Sequence, residues 1–290
     1  MAMFDRLISV DWSGAGKESD GVALRVATYD KCTDQAVILD RQEADCTFVS
    51  WSRQSFRAWI AEQLRYEQSA LIALDFGFGL PWGADQAVFG VDGWRPLLNA
   101  VAKRYHASSK ARATAEAINS EAHFSGHGPY RFDDSRNNYR FYADRRVAYY
   151  RQTELVAPQA ISQWYLGSGG TVGFHTITGL AAMDWLIQQR DAGEFDFVVW
   201  PQESLEPDGS KHVFVESYPA ICPIPSDFGP CRPNDGNQKD AWRVLQMLIA
   251  SRAEGTLTDL FQIPEMPFGR CSGIPFVEQV QFEGWIFGLR

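Results

Sequence analysis

The stretch Ile8-Ser9-Val10-Asp11-Trp12-Ser13-Gly14-Ala15-Gly16-Lys17 decides how this chain is read. Its last residues imitate a phosphate-cradling loop, but such a loop needs Gly-Lys followed by Ser or Thr at the start of a helix. Here Glu18 follows Lys17, and the chain soon enters Gly21-Val22-Ala23-Leu24-Arg25-Val26-Ala27-Thr28-Tyr29, whose β-branched character predicts a strand. What remains is a strand ending in a carboxylate, a glycine turn and a second strand.

Working outward, Ala36-Val37-Ile38-Leu39 predicts a third strand, and the polar residues Asp30, Lys31 and Asp34 supply the turn before it. Short connections of this kind favour antiparallel pairing. Ser52 to Tyr66 places Phe56, Trp59, Ile60 and Leu64 at helical spacing, and Ala70-Leu71-Ile72-Ala73-Leu74 then reads as a buried strand ending at Asp75. A strand reached through a helical crossover lies parallel to its neighbour. From residue 82 to about residue 170 the strand signal disappears. Trp94 to Tyr105, Lys110 to Ala122 and Arg145 to Trp164 read as helices of an insertion. The α/β pattern resumes with a helix around Leu180 to Ile187, strands at Phe195 to Trp200 and His212 to Glu216, and a final strong helix from about Gln238. The expectation is one domain over residues 1–290. It is an α/β fold in which a mixed sheet, three antiparallel strands followed by parallel ones, is flanked by helices and interrupted by the mostly helical insertion at 82–170.

Three strands thus end in acids, Asp11, Asp75 and Glu216, and Asp240 borders the face of the last helix that packs on the sheet. Ligands gather at strand ends in α/β sheets. Two like charges about 5 Å apart at an effective dielectric of about 20 repel by roughly 3 kcal/mol. Mg²⁺ or Mn²⁺, singly or as two ions, removes that repulsion and suits phosphodiester hydrolysis. Each acid has a plainer role open to it. Asp11 can satisfy the amides of its own turn, the glycines after Asp75 can simply turn the chain, Glu216 can be an ordinary strand-end acid, and Asp240 can answer a helix dipole.

The order strand-Asp, hairpin strands, helix, strand-Asp, insertion, strand-Glu and helix-Asp resembles the RNase H-like fold. More narrowly, VDWSGA, LDFGFGLP, VFVESYP, KDAWRVL and the terminal EGWIFG resemble the predicted nuclease family called domain of unknown function 429. The likeness covers the chain except much of the insertion. It implies that Asp11, Asp75, Glu216 and Asp240 are the catalytic and metal-ligating acids of a nuclease acting on DNA or RNA, with Lys17 or insertion arginines such as Arg145, Arg146 and Arg151 holding phosphate. Two alternatives share the scaffold: an actin-like ATP-binding phosphotransferase, whose phosphates meet a glycine turn after the first acid, and a non-catalytic nucleic-acid-binding module.

Composition bounds these readings. The 290 residues, 45% of them hydrophobic, suffice for a large core, and the net charge of -9 argues against a protein that coats nucleic acid throughout. Residues 101–151 are the exception, with ten lysines and arginines against five acids, interleaved with aromatics such as Tyr105, Tyr130, Phe132, Tyr142 and Tyr149. Such a mixture suits single-stranded nucleic acid, and it equally suits a helical subdomain that packs its own aromatics. No run approaches the roughly 18 apolar residues of a membrane span, and the first residues lack a signal pattern, so the expectation is a soluble cytoplasmic protein without a membrane partner. The five cysteines lack zinc spacing and read as reduced thiols. The scattered histidines lack the helical spacing of a zinc protease, Asp75-Phe76-Gly77 lacks the catalytic loop of a kinase upstream, and no serine-hydrolase elbow is present.

Overall fold

The structure, a computed structural model, describes residues 3–42, 48–108, 110–121, 128–132, 142, 147–167, 172–264 and 274–290. Its centre is a sheet of six strands: β1 (Arg6–Asp11), β2 (Arg25–Asp30), β3 (Gln35–Leu39), β6 (Ala70–Leu74), β7 (Phe197–Val199) and β8 (His212–Glu216), in the order β3-β2-β1-β6-β8-β7. A separate ribbon pairs β4 (Arg41–Gln42) with β5 (Phe48–Val49). The first three strands pair antiparallel, whereas β6 lies parallel to β1 and β8 parallel to β6. The expected mixed α/β sheet is therefore present.

Helices cover both faces, and strand alternation sorts the side chains between two cores. On one face Ile8, Val10, Ile72, Leu74 and Phe214 meet helix α1 (Arg53–Gln63) through Phe56 and Ile60. The same core takes in α2 (Trp94–Ser108), α3 (Ala111–Asn119) and the long α5 (Val172–Asp191). On the other face Leu7, Ala73, Val213 and Val215 meet α6 (Gly236–Ala253) through Ala241, Val244, Leu245 and Leu248. The last helix, α7 (Phe276–Glu283), and the terminal Trp285, Ile286 and Phe287 close that side. Among the described residues no helix is long and apolar enough to cross a membrane.

The insertion is part of the main core. Tyr105, Tyr130 and Tyr142 are buried there, and Tyr130 stacks edge-on against Trp164, so these aromatics pack rather than await bases. The helix expected over Arg145 to Trp164 is much shorter. Among the described residues only α4 (Gln152–Val156) forms, because Pro158 brings no N–H to the ladder and Gln159 turns the chain at φ 60°. Capping moves other ends. Ser52 and Ser55 form a capping box that starts α1, and Asp235 caps Gln238 N–H, starting α6 two residues before the expected position.

The turn after β1 is organised by a buried cation. Arg53, fully excluded from solvent, donates to the carbonyls of Ser13 at 2.8 Å, Ala15 at 2.6 Å and Gly16 at 3.1 Å, and to Glu18 Oε1 at 2.9 Å. The turn thus directs carbonyl oxygens inward to a guanidinium, the reverse of a phosphate cradle. Gly14 lies against the backbone of Phe174 and His175, where a Cβ would overlap the Phe174 carbonyl. Gly14→Ala is expected to destabilise the fold by about 1–3 kcal/mol through this overlap, measured as a lower urea midpoint with unchanged slope.

Candidate functional site

The parallel register of β1 and β6 creates the site. Val10 pairs with Leu74, and Asp75 N–H donates to Val10 O at 3.0 Å, so Asp11 and Asp75 leave adjacent strands at the same level. Alternation then aims both at the face that carries Leu7 and Ala73, beneath α6. Their side chains are hydrogen-bonded to each other.

Two carboxyls in contact cannot both be charged without a counter-ion. Asp11 is 8% exposed. Burial, then the neighbouring Asp75 and Asp240, push its pKa up to about 9, with Arg25 opposing. Burial, Asp240 and Glu216 raise Asp75 to about 8, and the bond from Asp11 opposes the rise. Asp75 keeps partial contact with solvent although protein surrounds its carboxyl, as expected at the floor of a concavity. Asp240 stands one turn into α6, half-buried, its pKa raised by burial against the pull of Arg243. Arg25, which faces Asp11 across the β1–β2 ladder, spends its Nε on Asp235 at 2.9 Å. Burial and the neighbouring acids thus favour the protonated form of both central carboxyls at neutral pH.

Glu216 is arranged differently. Phe214 points into the core opposite to that of Val213 and Val215, and Glu216 follows Phe214. Its carboxylate receives Arg151 in two bonds, Nη1 to Oε2 at 2.8 Å and Nη2 to Oε1 at 2.7 Å, and Oε2 also accepts Phe78 N–H at 2.9 Å. The expected fourth acid is thus near enough to raise Asp75 but is engaged by three N–H donors. Arg151, expected to hold phosphate, is 1% exposed and also binds Glu154 at 2.8 Å and the Glu283 carbonyl at 2.9 Å. Its fork locks the insertion to β8 and to the C-terminal segment, which leaves no donor geometry for a substrate phosphate. Gly284, at φ 86°, supports this brace, since a Cβ there would stand 3.1 Å from Glu216 Oε2. Glu283 is pushed up to about 7 by burial, while N–H donors from Gln152 and Trp82 oppose the rise.

Lys17 is exposed on the turn, its backbone N–H donating to the Asp20 carboxylate at 2.7 Å and its carbonyl accepting Asp20 N–H at 3.1 Å. Arg145 and Arg146 lie outside the described residues. Three neighbours were missed at the sequence level. His175, at the start of α5, hydrogen-bonds the Asp75 backbone, and burial followed by the Arg53 charge lowers its pKa to about 4, so it is neutral. Tyr218 has its phenol pKa raised by burial and then by Asp75. Ser217 is 4% exposed, and its hydroxyl has no hydrogen-bond partner. The alternation Val213, Val215, Ser217 within VFVESYP was a readable signal for the serine. Nothing in sequence placed His175 there, because its position comes from helix packing.

No family model, curated protein or solved structure matches this chain. The chemistry of the site therefore rests on its own geometry. Among the described residues no group of three or more His, Cys, Asp or Glu side chains forms a preformed metal cage. The groups around the pair, two neighbouring carboxyls, a third acid on α6 and an unpartnered buried hydroxyl, are all oxygen, the ligand type that a hard divalent cation takes.

The raised pKa values fix the sign of a pH effect. The unfolded chain loses these protons near pH 4, whereas the folded pair keeps them to about 8 and 9. Between those limits the unfolded state binds fewer protons, so this pair lowers stability as pH rises. In metal-free buffer Asp11→Asn is expected to raise the unfolding free energy at pH 9 by about 2–3 kcal/mol, the size of the repulsion removed. Urea melts at pH 6 and pH 9 check it: the parent-to-variant difference must grow with pH.

Proposed function

We propose that this chain is a metal-dependent phosphodiester hydrolase acting on DNA or RNA, on an RNase H-like scaffold. The observation that carries the reading is the Asp11–Asp75 pair, set level on adjacent parallel strands with both pKa values raised by burial and by neighbouring acids. A sheet of three antiparallel strands continued by parallel ones agrees with that scaffold, and β1 and β6 supply the acids at its centre.

Asp11 and Asp75 would hold Mg²⁺ or Mn²⁺, as one ion or two, with Asp240 at the rim. When bound, the cation supplies an activated water and stabilises the departing oxygen. The chain's own residues orient and shield. Arg53 fixes the turn after Asp11 through three carbonyls, and the Arg151–Glu216 brace fixes the backbone of the glycine loop at Phe78. His175, neutral and bonded to the Asp75 backbone, restricts how that residue moves. The wall of the cleft next to Asp75 includes Tyr218, whose hydroxyl can face a bound substrate, while the buried Gln163 amide is taken up by Glu154 and Thr176.

The phosphotransferase alternative is disfavoured by the inward carbonyls of residues 13, 15 and 16, which present no amide cradle to ATP. The two hydrolytic and binding readings separate in one experiment. Fluorescent single-stranded and duplex DNA and RNA are incubated with the full chain and Mg²⁺ or Mn²⁺. Cleavage is expected in the parent and a loss of roughly 100-fold or more in Asp75→Asn. Unchanged turnover in the variant removes the mechanism. Oligonucleotide binding without cleavage in the parent points to the non-catalytic module, and saturable ATP binding without cleavage to the phosphotransferase.

A further inference from the structure

We infer that the oxygen completing the cation site from β8 is the Ser217 hydroxyl and not the Glu216 carboxylate; the inference rests on the cation-site reading above. Three independent placements converge on this serine. Val213 and Val215 point into the core that also holds Leu7 and Ala73, while Phe214 points into the other. The two-residue alternation of an extended chain carries Ser217 to the face of Asp11 and Asp75. Register then fixes its neighbour: Leu74 pairs with Glu216, and Ser217 N–H donates to Leu74 O at 2.9 Å, which sets Ser217 beside Asp75.

The third placement is chemical. Ser217 is 4% exposed, and its Oγ has no hydrogen-bond partner. Buried hydroxyls are normally paired, and an unpaired one marks a place where a ligand or ordered water belongs. Ser217 borders the cleft next to Asp75, which Glu216 also lines, so the choice between them rests on which oxygen is free. Glu216 has the opposite character, its two oxygens engaged by Arg151 and Phe78 N–H. Withdrawing it to the metal would strand a buried guanidinium, which is strongly unfavourable. A serine hydroxyl carries two lone pairs on a freely rotating bond, and it suits a small hard cation or a water on that cation. Ser9 offers an internal comparison. It lies on the same face and its Oγ is likewise unpartnered, but it sits two residues back from Asp11, inside the strand.

Thermal melts of the full chain, titrated with MgCl₂ or CdCl₂, test the assignment. Ser217→Ala is expected to keep the parent's metal-free melting temperature or exceed it. Its half-saturating Mg²⁺ concentration should rise about tenfold. Ser217→Cys replaces a hard ligand with a soft one, so its preference for Cd²⁺ over Mg²⁺ should grow by about tenfold or more relative to the parent. Ser9→Ala should respond to cations as the parent does. A Ser217→Ala protein with the parent's Mg²⁺ response, or a Ser217→Cys protein with the parent's Cd²⁺ to Mg²⁺ ratio, overturns the role of Ser217 while leaving the Asp11–Asp75 site standing. If Ser217→Ala does not fold, the cysteine ratio decides. A parent whose melting temperature ignores every cation, and matches Asp75→Asn in doing so, removes the cation reading itself and this inference with it.

Discussion

The parallel pairing of β1 with β6 is the constraint from which the rest of this molecule follows. Backbone hydrogen bonds fix the register, so Asp11 and Asp75 emerge level with each other whatever their charges prefer. The apolar interior of both strands makes that pairing inescapable: Ile8, Val10, Ile72 and Leu74 fill one core while Leu7, Leu71 and Ala73 fill the other. Slipping by one residue would send every one of these side chains to the wrong face. The repulsion between the two acids is therefore tolerated by the fold, and together with burial it favours their protonated forms. Strain of this kind, imposed by a core and concentrated in two side chains, is common where chemistry is done.

Two buried arginines hold the surroundings of that pair. Arg53 gathers the turn that follows β1, and Arg151 gathers β8, the insertion and the C-terminal segment. Both are wholly or almost wholly excluded from solvent, and both are nearly saturated by acceptors. A guanidinium satisfied in this way acts as a rivet between segments distant in sequence, since its planar fork fixes the direction of each carbonyl or carboxylate it binds. The same saturation removes it from substrate binding. Cations that meet a phosphate must come from exposed side chains or from bound metal, and Lys17 is an exposed lysine on the turn itself.

The legible part of this structure was the part written in local pattern. Alternation and short turns announced β1, β2, β3, β6 and β8, and the crossover through α1 announced that β6 is parallel to β1. Those two facts made Asp11 beside Asp75 an expectation, and the register of β1 against β6 is what sets the two level. The illegible part depended on partners. Arg151 reads in sequence as one more basic residue in a basic stretch, and only the approach of Glu216 and Glu154 turns it into a buried brace. Ala-rich and polar residues from 145 to 164 carry helical propensity, yet Pro158 and the left-handed Gln159 override it. Glu216 was legible as a strand-end acid, but which face it took required counting alternation from a neighbour whose own side was already known. His175 reached the site through the packing of α5 against Gly14, a contact between backbones that no residue pattern records.

Electrostatics ties the acid site to the charge of the whole chain. With a net charge of -9, the protein repels polyanions at long range, and Asp11, Asp75 and Asp240 each raise the cost of charging a neighbour where they approach one another. A nucleic acid enters such a field only if something positive is interposed. Protons neutralise the pair but offer no coordination, whereas on the proposed reading a divalent cation would displace them and leave charge over for a phosphate oxygen. On that reading, binding of the cation and binding of the substrate would be one event. The acidic composition, which looks at first like an argument against a nucleic-acid enzyme, becomes the reason the site would be silent without its metal. Arg25 and Arg243 offset part of the repulsion, whereas Arg53 and Arg151 are committed to carboxylates and carbonyls inside the fold.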